Sequence, residues 1–167
     1  MDDKIILREM NIDDAKEAAI LCRKIFGKHG APRRKHLEDA ACSWRHEYYV
    51  AELDGKIIAC MGARTAEWFE DYYEAEKKSA YIEVVAVDPD YQGRGIGTKL
   101  FAKLIDRLDN IGVKSNCLHV HPSNTPAIEF YKHFGFRGFE AMKNSPYFNP
   151  DSLIMMRINS TATTEQS

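Results

Sequence analysis

Three glycines at alternate positions, Gly93, Gly95 and Gly97, separate a β-branched run over residues 81–87 from an apolar stripe at helical spacing. The stripe is Ile96, Leu100, Leu104 and Leu108, with Phe101 and Ile105 beside it. A helix apolar on one face must lay that face on a sheet, so a strand–glycine–helix order commits the chain to a mixed α/β architecture. The same glycines leave a row of backbone N–H groups unshielded at a helix N-terminus. Such a row binds phosphate through hydrogen bonds and the positive end of the helix dipole. Arg94 adds a charge-assisted partner. The plainer alternative is a glycine turn that only lets strand and helix pack.

The rest of the chain fits one domain of this class. Its 167 residues match the usual ~100–200 per domain. With 44% apolar and 29% charged residues, a disordered or collagen-like chain is excluded. No apolar run approaches the roughly 18–20 residues of a membrane span. Met1-Asp2-Asp3-Lys4 lacks the apolar core of a signal peptide, so a cytoplasmic protein without a membrane partner is expected. A net charge of −2 gives no reason to expect nucleic acid. Cys22, Cys42, Cys60 and Cys117 form no CxxC pair, so reduced thiols and no metal are expected.

Residues 4–8 read as a strand, and Asn11 caps a helix carried by Ala15, Ala18, Ala19, Cys22 and Phe26 up to Gly27. The basic stretch 28–36 reads as a solvated loop, followed by a short helix over 37–44. Residues 48–53 and 56–62 form a hairpin around Asp54-Gly55, the pair a type I′ turn requires. Residues 65–79 hold five acidic residues against two lysines and read as an edge connection. A strand over 116–121, a helix over 125–134 and strands near 136–141 and 152–158 complete a domain over 1–158. Residues 159–167 are expected to form a disordered tail. The order β-α-α-β-β-β-α-β-α-β-β describes a mostly antiparallel sheet of about seven strands flanked by about four helices.

Two familiar phosphate motifs do not fit. A P-loop requires Gly-Lys-Ser/Thr, and Gly97-Thr98-Lys99 has the wrong order. The G-x-G-x-G spacing, placed after four strands, is not a dinucleotide fingerprint. Residues 85–97, VAVDPDYQGRGIG, instead resemble the Q/R-x-x-G-x-G/A signature of the GNAT superfamily of acyl-CoA N-acyltransferases. Residues 124–136, NTPAIEFYKHFGF, resemble that family's second motif. The resemblance spans roughly residues 4–158 and implies a GNAT-like fold with acetyl-CoA as cosubstrate.

Residue by residue, the resemblance implies that the backbone of Val85, Ala86 and Val87 meets the pantetheine arm. It implies that Gln92, Gly93, Arg94, Gly95, Ile96, Gly97 and Thr98 cradle the pyrophosphate. Asn124 would contact the coenzyme, and Tyr131 would stand near the thioester sulfur. The base is left open among three residues. Tyr81, Glu83, Val85 and Val87 share one strand face, and Cys117, His119 and His121 share another, so Tyr81, Glu83 and His119 can converge. Residues 118–124, LHVHPSN, are similar to a segment of protein Nα-terminal acetyltransferases. In the eukaryotic member acting on Met-starting termini, a His stands at the position of His119 and a Tyr at that of Tyr81, working through an ordered water. The bacterial ribosomal-protein enzymes carry Glu at the position of His119. Where that family usually has K-N-Y-Y, Lys143-Asn144 is followed here by Ser145-Pro146-Tyr147-Phe148.

The expected acceptor is a protein or peptide N-terminal amine. A small-molecule amine (polyamine, amino acid or aminoglycoside) is the alternative, and a non-catalytic coenzyme-A-binding module the remote one. A homodimer stays open beside a monomer.

Overall fold

The structure is a computed structural model; it describes residues 4–66, 79–138 and 151–159. The elements follow the expected order: β1 (Ile6–Glu9), α1 (Ala15–Gly30), α2 (Arg34–Ala41), β2 (His46–Leu53), β3 (Lys56–Ala66), β4 (Ser79–Val87), α3 (Ile96–Asn110), β5 (Ser115–Val120), α4 (Thr125–His133), β6 (Arg137–Gly138) and β7 (Leu153–Ile158). Seven strands hydrogen-bond in the order β1-β2-β3-β4-β5-β7-β6, and β4 pairs with β5 in parallel. The fold is therefore mixed α/β on a mostly antiparallel sheet. The described residues of 1–65 and 83–108 form one compact unit, and those of 66–82 and 109–167 form another.

In the first unit, Asn11 opens a 3-10 turn (Ile12–Asp14) with a reciprocal capping box. Its side chain accepts from the Asp13 and Asp14 amides, while Asp14 accepts from the Asn11 amide at 2.8 Å. Helix α1 then buries Ala15, Ala18, Leu21 and Cys22. These mostly small side chains let the helix join a core with Tyr48, Val50, Ile57, Cys60, Val84 and Ala86. Helical geometry breaks at Gly27, whose φ is 73°, as the glycine there predicts, and one further turn follows. At the hairpin tip Asp54 and Gly55 take φ of 50° and 79°, the left-handed pair of the expected turn.

Several boundaries differ from the sequence reading: α1 runs to Gly30 and β3 to Ala66, and β5 ends at Val120. Arg34, Lys35 and His36 are not loop but the first turn of α2, which ends at Ala41 instead of Trp44. Ion pairs one turn apart, Arg34–Glu38 at 2.7 Å and Lys35–Asp39 at 2.6 Å, support that helix. Asn159, read as the first residue of a loose tail, is buried, and its amide donates to the Lys114 carbonyl at 2.9 Å. The acidic stretch beyond Ala66, the Lys143–Phe148 segment and the remainder of the tail lie outside the described residues.

Arg8 ties β1 to its surroundings. Its guanidinium donates to Asp14 at 2.7 and 2.8 Å and to Glu52 at 2.8 and 2.9 Å. Burial pushes the Asp14 carboxyl up, but hydrogen bonds from Arg8 and the Asn11 amide outweigh it and hold the group below its ordinary 3.8. A depressed carboxylate contributes stability above its unfolded value and loses it as pH falls below. Asp14→Ala is therefore expected to cost about 2–4 kcal/mol at pH 7, through the lost cap and the stranded Arg8. Denaturant melts of both proteins between neutral pH and pH 3 check this. The gap between them should narrow as pH falls.

Candidate active site

Strand β4 supplies the first set of groups by simple alternation. Ala80, Ile82, Val84 and Ala86 are buried, whereas Tyr81, Glu83, Val85 and Val87 stand half-buried on the other face, as period-two reading requires. Ala86, expected beside the pantetheine, has its side chain in the core, so only its backbone is available.

After β4 the chain turns at Asp88, which is buried and accepts from the Asp90 amide at 3.1 Å. Lys24 reaches Asp88 at 2.7 Å, and this hydrogen bond holds the carboxyl below its ordinary range despite burial. Gln92 folds back to donate to the Val87 carbonyl at 3.1 Å, so its side chain shapes the turn. Arg94 lies over the Tyr91 ring, 5.2 Å from its centre, and is exposed. Gly93 and Gly95 have φ of 76° and 75°, conformations that other residues adopt only under strain. A Cβ on either would meet nothing within 4 Å, so backbone conformation, not crowding, calls for glycine here. Gly97 differs, because a Cβ there would press on Val87 at 3.3 Å. The first helical bond of this turn runs from the Lys99 amide to the Gly95 carbonyl at 3.0 Å. The amides of Ile96, Gly97 and Thr98 precede it and have no acceptor within the helix. An anion at that end of α3 would meet donors and a favourable dipole.

Glu83 is enclosed by a cluster that sequence reasoning missed. The Tyr48 hydroxyl donates to its Oε2 at 3.0 Å. His36 Nε2 stands 3.5 Å and His46 Nε2 3.8 Å from the same oxygen, while Arg64 Nε is 3.5 Å from Oε1. Burial pushes the carboxyl up, but His36, Tyr48 and Arg64 together hold it below its ordinary value. Tyr48 reaches Glu83 because its ring lies across Gly62, its partner on β3, where any Cβ would collide with it. The four neighbours come from α2, β2 and β3, and no spacing in the chain announces them.

The second unit gathers the remaining candidates. Strands β4 and β5 pair in parallel over Ser79–Ser115, Ala80–Asn116 and Tyr81–Cys117, and the ladder ends there although both strands run on. Tyr81 and His119 meet edge to face, with ring centres 5.6 Å apart. Burial pushes the His119 imidazole below its ordinary 6.5, so it is neutral at physiological pH. Tyr131, on α4, is buried and packs near Phe130 and Phe136, with centres 5.5 and 6.1 Å away. Burial, then the nearby Tyr81, pushes its hydroxyl up to about 12. The Asn124 side chain accepts from the Ala127 amide at 3.3 Å and so caps α4. His121 lies just past β5, exposed, with Nδ1 2.6 Å from the Ser123 hydroxyl, so it shapes the turn and does not continue the strand face.

The first unit thus offers a row of helix-end amides suited to an anion, and the second a half-buried imidazole beside two tyrosines. Comparison with known proteins gives the family. The family model described as acetyltransferase (GNAT) family matches residues 14–136, and the chain belongs to that family. It is 38% identical over 96 residues to an uncharacterized N-acetyltransferase of Methanocaldococcus jannaschii, covering 58% of this chain and 41% of the relative. It is 43% identical over 60 residues to the ribosomal protein bS18-alanine N-acetyltransferase of Escherichia coli K12, covering 36% and 40%. The chain thus spans about two fifths of the length of these curated relatives. The crystal structure of the ribosomal-protein-S18-alanine N-acetyltransferase from Escherichia coli superposes with a TM-score of 0.76 at 23% identity, covering 98% of this chain and 99% of that one. Arabidopsis thaliana NAA60 in complex with acetyl-CoA gives 0.76 at 22% identity, covering 93% and 98%. These two structures share the fold.

Proposed function

We propose that this chain transfers an acetyl group from acetyl-CoA to the N-terminal amine of a peptide or protein. Membership of the GNAT family supports the reaction class. The observation that carries the finer reading is the edge-to-face contact of Tyr81 with His119, the two positions whose residue types match Nα-terminal acetyltransferases. The name of the bS18-alanine relative supports it further.

In this reaction the amine nitrogen attacks the thioester carbonyl carbon, the N–C bond forms and the C–S bond breaks. The amides of residues 92–98 hold the pyrophosphate, and the backbone of Val85 and Val87 aligns the pantetheine. A backbone N–H near Val85 donates to the oxyanion. His119, through a water positioned with Tyr81, takes the proton the nitrogen sheds. An α-amine of pKa ~7.7–8.0 costs only roughly 1–1.4 kcal/mol to deprotonate at pH 7, whereas a lysine at ~10.4 costs about 4.6. Transfer from the resting ammonium to His119 is uphill, because burial moves the imidazole further below the amine, so His119 acts as attack acidifies the nitrogen. Tyr131 serves the other end. Giving its proton fully to a thiolate of reference pKa ~8.5 costs about 5 kcal/mol, so it stabilises the departing sulfur by donating a hydrogen bond. Glu83 is the weaker candidate for the base, because Tyr48 and two imidazoles already crowd its carboxylate.

A thiol-release screen with acetyl-CoA against N-terminal peptides, polyamines and free amino acids tests the reading. Peptides with a free α-amine should turn over fastest. Exclusive turnover of polyamines or amino acids would replace it with the small-amine reading, and failure of every amine to release thiol would leave a coenzyme-binding module.

A further inference from the structure

The Glu83 cluster contains an inconsistency that the acyl-transfer reading does not resolve. His46 is only 15% exposed, yet neither of its ring nitrogens makes a hydrogen bond among the described residues. Nδ1 is buried without a partner, and Nε2 stands 3.8 Å from Glu83 Oε2, too far to donate. His36 faces the same oxygen from α2 at 3.5 Å, also at the limit. A buried imidazole left unsatisfied costs free energy unless another group lies between it and its neighbours.

The geometry points to a divalent cation site of the zinc class, formed by His36 Nε2, His46 Nε2 and Glu83 Oε2. One donor atom from each of the three lies within 4.8 Å of the other two. In a tetrahedral zinc site with bonds of about 2.0–2.1 Å, ligand atoms sit roughly 3.4 Å apart. The two separations to Glu83 are therefore near the required edges, and the third closes by side-chain rotation of His36. That residue meets Glu83 and the Tyr48 hydroxyl only at 3.5 Å and is 40% exposed, so its open side would admit the ion and a water as fourth ligand. Two imidazoles and one carboxylate are a donor set suited to zinc, and unsuited to magnesium or calcium, which prefer oxygen. The three ligands come from α2, β2 and β4, so an ion would cross-link elements distant in sequence. Tyr48 is placed as the outer support, donating to Glu83 Oε2 at 3.0 Å. Arg64, 3.5 Å from the other carboxylate oxygen, opposes a cation and lowers its affinity. The site departs from the sequence expectation of no metal, which rested on cysteine spacing and did not weigh His36 or His46.

Binding of zinc ion alone to the full chain, read by calorimetric titration and by competition with a chromophoric chelator, tests the proposal. One zinc per chain is expected. His36→Ala, in the first turn of α2 and 40% exposed, should weaken binding by at least about tenfold in a protein whose circular dichroism stays that of the wild type. His46→Ala should do the same, and Tyr48→Phe less. Cys42→Ala and His29→Ala, outside the cluster, should leave the affinity unchanged. Absence of saturable binding would overturn the site. Binding that survives His36→Ala, or that disappears with Cys42→Ala, would overturn it as well. These readouts involve no acetyl transfer, so their failure is distinct from failure of the proposed reaction.

Discussion

Replacing His119 with alanine is expected to lower the turnover number by ~10²–10⁴-fold, the loss typical of a missing general base, with little change in affinity for acetyl-CoA. The expectation rests on the contact with Tyr81 and on an imidazole that burial keeps neutral. The neutral form is the one that accepts a proton, so the wild-type rate should rise with pH. Because burial moves His119 downward, the inflection should fall below 6.5. The profile of the alanine variant should lack that inflection. If Glu83 is the base, Glu83→Gln gives the large loss and His119→Ala changes activity by less than about threefold. Such a result would make His119 a structural residue.

The second large effect belongs to the glycine turn. Gly95→Val should weaken acetyl-CoA binding by at least about a hundredfold in a protein that still folds, with a melting temperature lowered by several degrees. Valine at φ of 75° is sterically disfavoured, so the turn must reshape and the amides of Ile96, Gly97 and Thr98 lose their alignment. The direction its side chain would take is open space in the chain, the space a phosphate needs. Gly95→Ala should show the same effect in weaker form. Calorimetric titration with acetyl-CoA decides the matter, and unchanged affinity in a folded Gly95→Val protein would remove the pyrophosphate assignment.

What could be read in advance was whatever depends on local periodicity and turn chemistry. The stripe Ile96, Leu100, Leu104 and Leu108 is buried as its spacing demands, and Asp54-Gly55 makes the turn its conformational freedom allows. The face of Tyr81, Glu83, Val85 and Val87 follows from strand alternation alone. Boundaries were harder where competing signals overlapped. The charges of Arg34 and Lys35 suggested loop, while their partners one turn later stabilise helix. The Glu83 cluster was invisible for a different reason. Tyr48 and Glu83 are 35 residues apart, and they meet only because strand order and the bare Gly62 surface bring them together. A lone histidine in a basic stretch carries no signal that it will face a buried carboxylate.

The position of the transferred acetyl group distinguishes an Nα-acetyltransferase from a lysine or small-amine enzyme. Mass spectrometry of a peptide carrying both a free α-amine and an internal lysine, after incubation with the protein and acetyl-CoA, locates it directly. The account predicts one acetyl group, on the α-amine, and none when that amine is blocked. Acetylation confined to the lysine, or transfer to polyamines and amino acids with no peptide product, would contradict it.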